Sequence, residues 1–186
     1  MMEPELEKLA ARLSRVTVQI RTGRESVGCG IIWSPAGLIV SNAHVARQDL
    51  VTVELAGGGL LDGRVVWRDL RRDLAAIQVG ATGLPIAPIS EPGILRTGEI
   101  VLAFGHPFGV PQALALGIVH RVSADARGNR WIRADIRLAP GNSGGPLANA
   151  AGEIIGINTL IAGGLAHAVP VPTVQRFLSE IGARAA

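Results

Sequence analysis

A single cysteine, Cys29, stands among the 186 residues, so the chain can close no internal disulfide and can offer no cysteine set to zinc. Its neighbours, Val27-Gly-Cys-Gly-Ile-Ile32, mark it as a small buried strand residue rather than a redox group. Lysine is equally scarce: Lys8 stands alone, and the formal charge of +3 arises from arginines scattered singly or in pairs. With no tyrosine, three Phe and three Trp, the chain lacks the stacking platform and the basic run on which nucleic-acid binding rests. No pair of His or Cys has ligand spacing, so neither a metal nor another cofactor is expected. No apolar run reaches the roughly 18 residues of a membrane span. The start, Met-Met-Glu-Pro-Glu, lacks the basic and then apolar beginning of a secretory leader. The chain therefore reads as soluble and cytoplasmic as written, and as extracytoplasmic if a leader has been removed.

What is abundant is turn material between short apolar runs. Gly 24 and Pro 11 separate many Val/Ile/Leu segments, which favours strands over a helical bundle. After a helix over residues 1–15, with Leu6, Leu9 and Leu13 on one side, six runs fall within 16–80: Val16–Arg21, Val27–Trp33, Leu38–Ser41, Val51–Leu55, Leu60–Trp67 and Leu74–Val79. Residues 81–98 have too little periodicity for an element and form a connector. Six further runs lie within 99–170: Ile100–Gly105, Ala113–Ser123, Trp131–Ala134, Gly144–Ala148, Ile154–Leu160 and Leu165–Val169. A closing helix within 171–183 follows, with Pro172 near its start and Gly182 at its end. The expected fold is all-β, one domain over 1–186, with two six-stranded antiparallel barrels enclosing a cleft.

The chemistry gathers at Gly141-Asn142-Ser143-Gly144-Gly145. Glycines around a serine permit a tight turn whose amides converge on one point beside the hydroxyl, the arrangement of an oxyanion hole. The same letters fit the strand-to-helix elbow of α/β-hydrolases, but that fold needs an acid and then a histidine after the serine. Beyond Ser143 there is no Asp, only Glu153 and Glu180, and one histidine, His167. Upstream, the order His, Asp, Ser is available as His44, Asp73 and Ser143, the order of chymotrypsin-like enzymes. Asp69 competes with Asp73 on spacing, but Asp73 directly precedes the apolar run. His106 and His120 read as structural.

The stretches Val27-Gly-Cys-Gly-Ile-Ile-Trp-Ser-Pro-Ala-Gly-Leu-Ile-Val-Ser-Asn-Ala-His44-Val45, Arg72-Asp73-Leu-Ala, Val101-Leu-Ala-Phe-Gly-His-Pro-Phe-Gly109, Gly117-Ile-Val119, Pro140-Gly-Asn-Ser-Gly-Gly-Pro-Leu147, Gly152-Glu-Ile-Ile-Gly-Ile-Asn158 and Ala168-Val-Pro170 resemble the trypsin-like protease domain of the HtrA (Deg) serine endopeptidases. The resemblance runs from about Val16 to the end. It implies His44 as general base, Asp73 as its orienting acid, Ser143 as nucleophile, and the N–H groups of Gly141 and Ser143 as the oxyanion hole. It further implies a specificity pocket at Leu138, Arg137, His167 and Ala168. His167 falls where relatives carry Phe, and Arg137 lies six residues before the nucleophile. Two basic groups there would make the pocket prefer an acidic side chain; in the alternative reading Arg137 points to solvent, His167 bonds to backbone and Leu138 makes an ordinary apolar pocket. Many relatives carry a PDZ domain after the protease; with the sequence ending at Ala186, peptide capture or gating by such a domain is not carried over from the likeness. Relatives also often form trimers through an aromatic-bearing N-terminal segment, whereas the first aromatic here is Trp33, so a homo-oligomer is the weaker part of the likeness.

The expected function is a serine endopeptidase of protein quality control, cutting unfolded or flexible protein segments through an acyl-enzyme. Activity should rise with pH as the imidazole, whose ordinary pKa is about 6.5, loses its proton. Two other classes share the fold: a dormant or non-catalytic peptide-binding or chaperone-like module, and a scaffold acting through the N-terminal helix.

Overall fold

A computed structural model describes residues 3–22, 25–91, 93, 95–109 and 112–185. Helix α1 (Glu3–Val16) carries Leu6, Leu9 and Leu13 at helical spacing and lays them on Leu102, Phe104 and Ala148. It ends where the Thr17 hydroxyl donates to Leu13 O at 2.7 Å, satisfying a carbonyl the next turn would have used.

Six strands follow: β1 (Thr17–Thr22), β2 (Glu25–Ile32), β3 (Leu38–Ser41), β4 (Leu50–Glu54), β5 (Leu60–Asp69) and β6 (Leu74–Val79). They close into an antiparallel barrel in the order β1-β2-β3-β6-β5-β4. Alternate residues point inward, so Val18 and Ile20 of β1 meet Val51 and Val53 of β4 in a core completed by Ile39, Ala75 and Ile77. The second set is β7 (Ile100–Gly105), β8 (Ala113–Ala124), β9 (Arg130–Asp135), β10 (Pro146–Asn149), β11 (Ile154–Ala162) and β12 (Leu165–Pro170). It closes as β10-β11-β12-β9-β8-β7 around Val101, Val119, Ile132, Leu147 and Ala168.

Helix α2 (Val171–Ala185) seals the seam. Its Val174 and Phe177 enter a cluster shared by Val40 and Leu74 of the first barrel and Ile157 and Val169 of the second. The helix continues past Gly182, where nothing lies within 4 Å of an added Cβ; an exposed glycine costs a helix only about 1 kcal/mol. The strand expected from Gly144 begins two residues later, at Pro146. Gly144, at φ +83°, is still in the turn before it. Among the described residues no helix is long and apolar enough to cross a membrane.

Candidate active site

Just beyond β3 the chain makes one tight turn, in which Val45 and Ala46 donate to Asn42 O at 3.2 and 3.0 Å, and His44 is lifted to the surface. Asp73 ends the turn between β5 and β6 at φ +53°, a left-handed conformation uncommon for a residue with a side chain. Asp69 builds that turn, its Oδ1 accepting the N–H groups of Arg71 and Arg72 at 2.9 and 3.0 Å. Its role is therefore in the backbone, not at the histidine. Both oxygens of Asp73 go to His44: Oδ2 lies 2.6 Å from the ring Nδ1 and Oδ1 accepts the His44 N–H at 2.9 Å. Since a carboxylate only accepts, Nδ1 holds the proton and Nε2 is left as the base. The pair is partly open, with side chains 39% and 24% exposed.

Ser143 follows a turn over 139–142 closed by Asn142 N–H to Ala139 O at 3.0 Å, with Pro140 in its second place and Gly141, at φ +104°, in its third. A Cβ at Gly141 would run into the His106 carbonyl. Pro140 O accepts from Phe108 N at 2.8 Å. Because C=O and N–H of a trans peptide oppose each other, the Gly141 N–H faces away from Phe108. Neither it nor the Ser143 N–H has a partner among the described residues. Behind the turn, Cys29 N–H donates to Ser143 O at 2.7 Å and the Cys29 thiol donates to Gly141 O at 3.0 Å. Burial pushes that thiol up to about 12, so it is a donor and not a nucleophile.

The two halves converge through two contacts, and a third within the second half sets the direction of the Ser143 hydroxyl. A Cβ at Gly28 would lie 2.7 Å from Val45 and 2.8 Å from Ser143 O, so a glycine of β2 lets both turns close on one spot. Buried Asn42 donates to Asp73 O at 2.9 Å and to Thr159 Oγ1 at 3.1 Å, joining the barrels. The Ser143 hydroxyl donates to Thr159 O at 3.0 Å and so is aimed at β11, not at the His44 ring. Asn42 and Thr159 are contributors that sequence reasoning missed. Their only signal is position: Asn42 is two residues before His44, and Thr159 directly follows the Gly156-Ile-Asn158 motif.

The remaining site candidates separate. Ala168 is buried in the second barrel's interior and Leu138 packs against the same cluster. His167 points the other way, edge-on to Trp131 at 6.0 Å between centroids, because alternate strand residues face opposite sides. Desolvation first and then nearby Arg133 hold its pKa below the ordinary value. Arg137 is exposed. The expected grouping of His167 and Arg137 with Leu138 and Ala168 in one basic pocket is not what the structure brings together; Ala166, like Ala168, lies in the interior cluster. His106 is buried, held below its ordinary pKa by desolvation, and accepts the Gln112 N–H on Nδ1 at 3.3 Å. It supports the loop under Gly141. His120 is exposed on β8.

Residues 28–157 match the family model of the trypsin-like peptidase domain. Serine protease HTRA3 of Rattus norvegicus is 37% identical over 94% of this chain and 43% of its own length, and serine protease HTRA1A of Danio rerio is 38% identical over 82% and 34%. Among solved structures, the HtrA-type protease AlgW with a decapeptide superposes with a TM-score of 0.87 at 26% identity, covering 94% of this chain and 66% of that one. The chain thus spans less than half the length of these curated relatives. With two six-stranded barrels, a glycine-framed serine between them and HtrA proteases as its relatives, the chain belongs to the trypsin-like peptidase domain family.

Proposed function

We propose that the chain is a serine endopeptidase with His44 as general base, Asp73 as its orienting acid and Ser143 as nucleophile. The observation that carries this is the His44–Asp73 pair, closed by hydrogen bonds of 2.6 and 2.9 Å, at the seam where the Ser143 turn leaves two N–H groups unpartnered. The hydroxyl leaves Thr159 O by rotation about Cα–Cβ and donates to Nε2 of His44. As Oγ attacks the substrate carbonyl carbon, its proton passes to Nε2 and the π electrons move to the carbonyl oxygen, which the Gly141 and Ser143 N–H groups receive. Collapse expels the amine, protonated from Nε2, and leaves an acyl-serine. Water then repeats the sequence with His44 as base.

The substrate class follows from an open strand edge. β11 pairs with β10 only as far as Ile157, yet with β12 as far as Ala162. Residues 159–162 therefore keep one edge on which an extended, unfolded segment can add as a strand, with exposed Leu160 and Ile161 beside it. Leu138, Ala166 and Ala168 suit an apolar side chain before the cut.

A dormant resting form has one observation in its favour, the Ser143 hydroxyl on Thr159 O. Labelling with a fluorophosphonate, with and without casein-derived peptide, tests both readings. The parent should label, faster with peptide, and Ser143→Ala should not. A parent that fails to label in either condition would overturn the catalytic reading.

A further inference from the structure

The arginines that stand apart in the sequence meet on the face where α2 crosses the two barrels. A concavity of about 220 Å³ is lined by Arg71 and Arg72 from the β5–β6 turn, Arg127 and Arg130 from the β8–β9 hairpin, and Arg176 of α2. Arg130, Thr173 and Arg176 also line a larger cavity of about 820 Å³, to which Arg121 of β8 adds a sixth guanidinium. Three distant segments thus point one kind of charge at one place.

The carboxylates within ion-pair distance offset Arg72 alone, through Glu180 and through Asp69 at 3.3 Å. Glu180 is taken by Arg72 in a two-pronged pair at 2.7 and 3.0 Å. Asp125, in the same hairpin, accepts the Arg127 and Asn129 N–H groups, the Asn129 amide and the Trp131 indole, all within its own loop. In the larger cavity Glu99 pairs with Arg96 at 2.8 Å, leaving Glu91. Among the described residues Arg71, Arg121, Arg127 and Arg130 have no acid within ion-pair distance, and the side chain of Arg176 reaches only Thr173 Oγ1, at 3.4 Å.

We infer that this face is a binding site for an anion of high charge density, a chain of closely spaced phosphate groups. The smaller concavity, of about 220 Å³, is open to solvent. With Arg72 paired to Glu180 and Asp69, four guanidinium-bearing residues without an acid partner among the described residues remain around this concavity, and together they favour a ligand of dense negative charge. An acidic peptide spaces same-face carboxylates about 7 Å apart along a strand, too sparse for that count. A phosphate presents several oxygens to the fixed fork of each guanidinium. The larger cavity, sharing Arg130 and Arg176, gives the chain a direction in which to continue.

Linear inorganic polyphosphate, titrated against the whole chain at several salt concentrations, tests this, with orthophosphate and phosphatidylglycerol vesicles as comparison probes. The double substitution Arg127→Glu/Arg130→Glu should weaken polyphosphate binding at least tenfold and reduce the salt slope by about one per arginine. Arg15→Glu/Arg64→Glu, an equal charge change at exposed positions elsewhere, should weaken it less than threefold, with melting temperatures confirming both folds. Equal losses in the two variants, no polyphosphate binding at physiological salt, orthophosphate binding as tight as the chain, or binding to vesicles alone would each overturn the inference.

Discussion

The half of the site on the first barrel and the half on the second are at different stages of readiness. His44 and Asp73 are fully engaged with each other, through ring and backbone, in the geometry that the roles proposed for them require. Across the seam, the Ser143 turn is held by Cys29, Phe108 and Asn158, yet its hydroxyl rests on Thr159 O. The proposed reaction asks that half to turn its hydroxyl from Thr159 O toward His44, a rotation between staggered wells.

The most severe way to break the comparison removes either partner. Ser143→Ala and His44→Ala should each lower kcat/KM on a casein-derived peptide by roughly 10⁶-fold with unchanged melting, and parental cleavage by Ser143→Ala would end the assignment. Asp73→Asn should cost about 10⁴-fold in kcat while keeping the fold, since asparagine tolerates the left-handed backbone at φ +53° and only the tautomer is lost. Asn42→Ala cuts the bridge between the halves. It should lower kcat/KM roughly tenfold and stability by about 1–3 kcal/mol, read from denaturant titration.

Smaller effects sharpen the second barrel's part. His106, under the Ser143 turn, is held below its ordinary pKa by burial, so on acidification the unfolded chain binds its proton before the folded one does. Stability is therefore whole above the unfolded-state value and declines as pH falls through and below it. The melting temperature should drop on that limb, and His106→Asn should flatten it. The least effect belongs to His167→Phe and Arg137→Ala, each expected to change the preferred residue before the cut less than twofold in peptide-library profiling, with Leu138→Ala changing it more.

Strand number and barrel closure were legible because β-branched runs alternate with glycine and proline turns, and the helices because leucines recur at their spacing. Chain order made His44, Asp73 and Ser143 available, the apolar run after Asp73 set it ahead of Asp69, and the family motifs assigned the roles; the fold gathers the three segments at one seam. Less visible were relations that depend on register and on direction. The facing of His167 follows from which neighbours of β12 point inward, a matter of pairing with β9 and β11 that no local pattern states. The Asn42–Thr159 bridge joins residues 117 positions apart. The arginine face draws on three segments, each unremarked as a sequence because each supplies only one or two of its arginines.

Cys29 stands fully enclosed where β2 meets the Ser143 turn, and it is the chain's sole thiol. An alkylating reagent can reach it only when the seam between the barrels parts. The rate of modification in the native protein would count those partings without competing signal, and the slowing of that rate by a bound peptide would time how long an occupied cleft stays shut. The residue that seemed least active in the sequence is in this sense a clock for the breathing of the site.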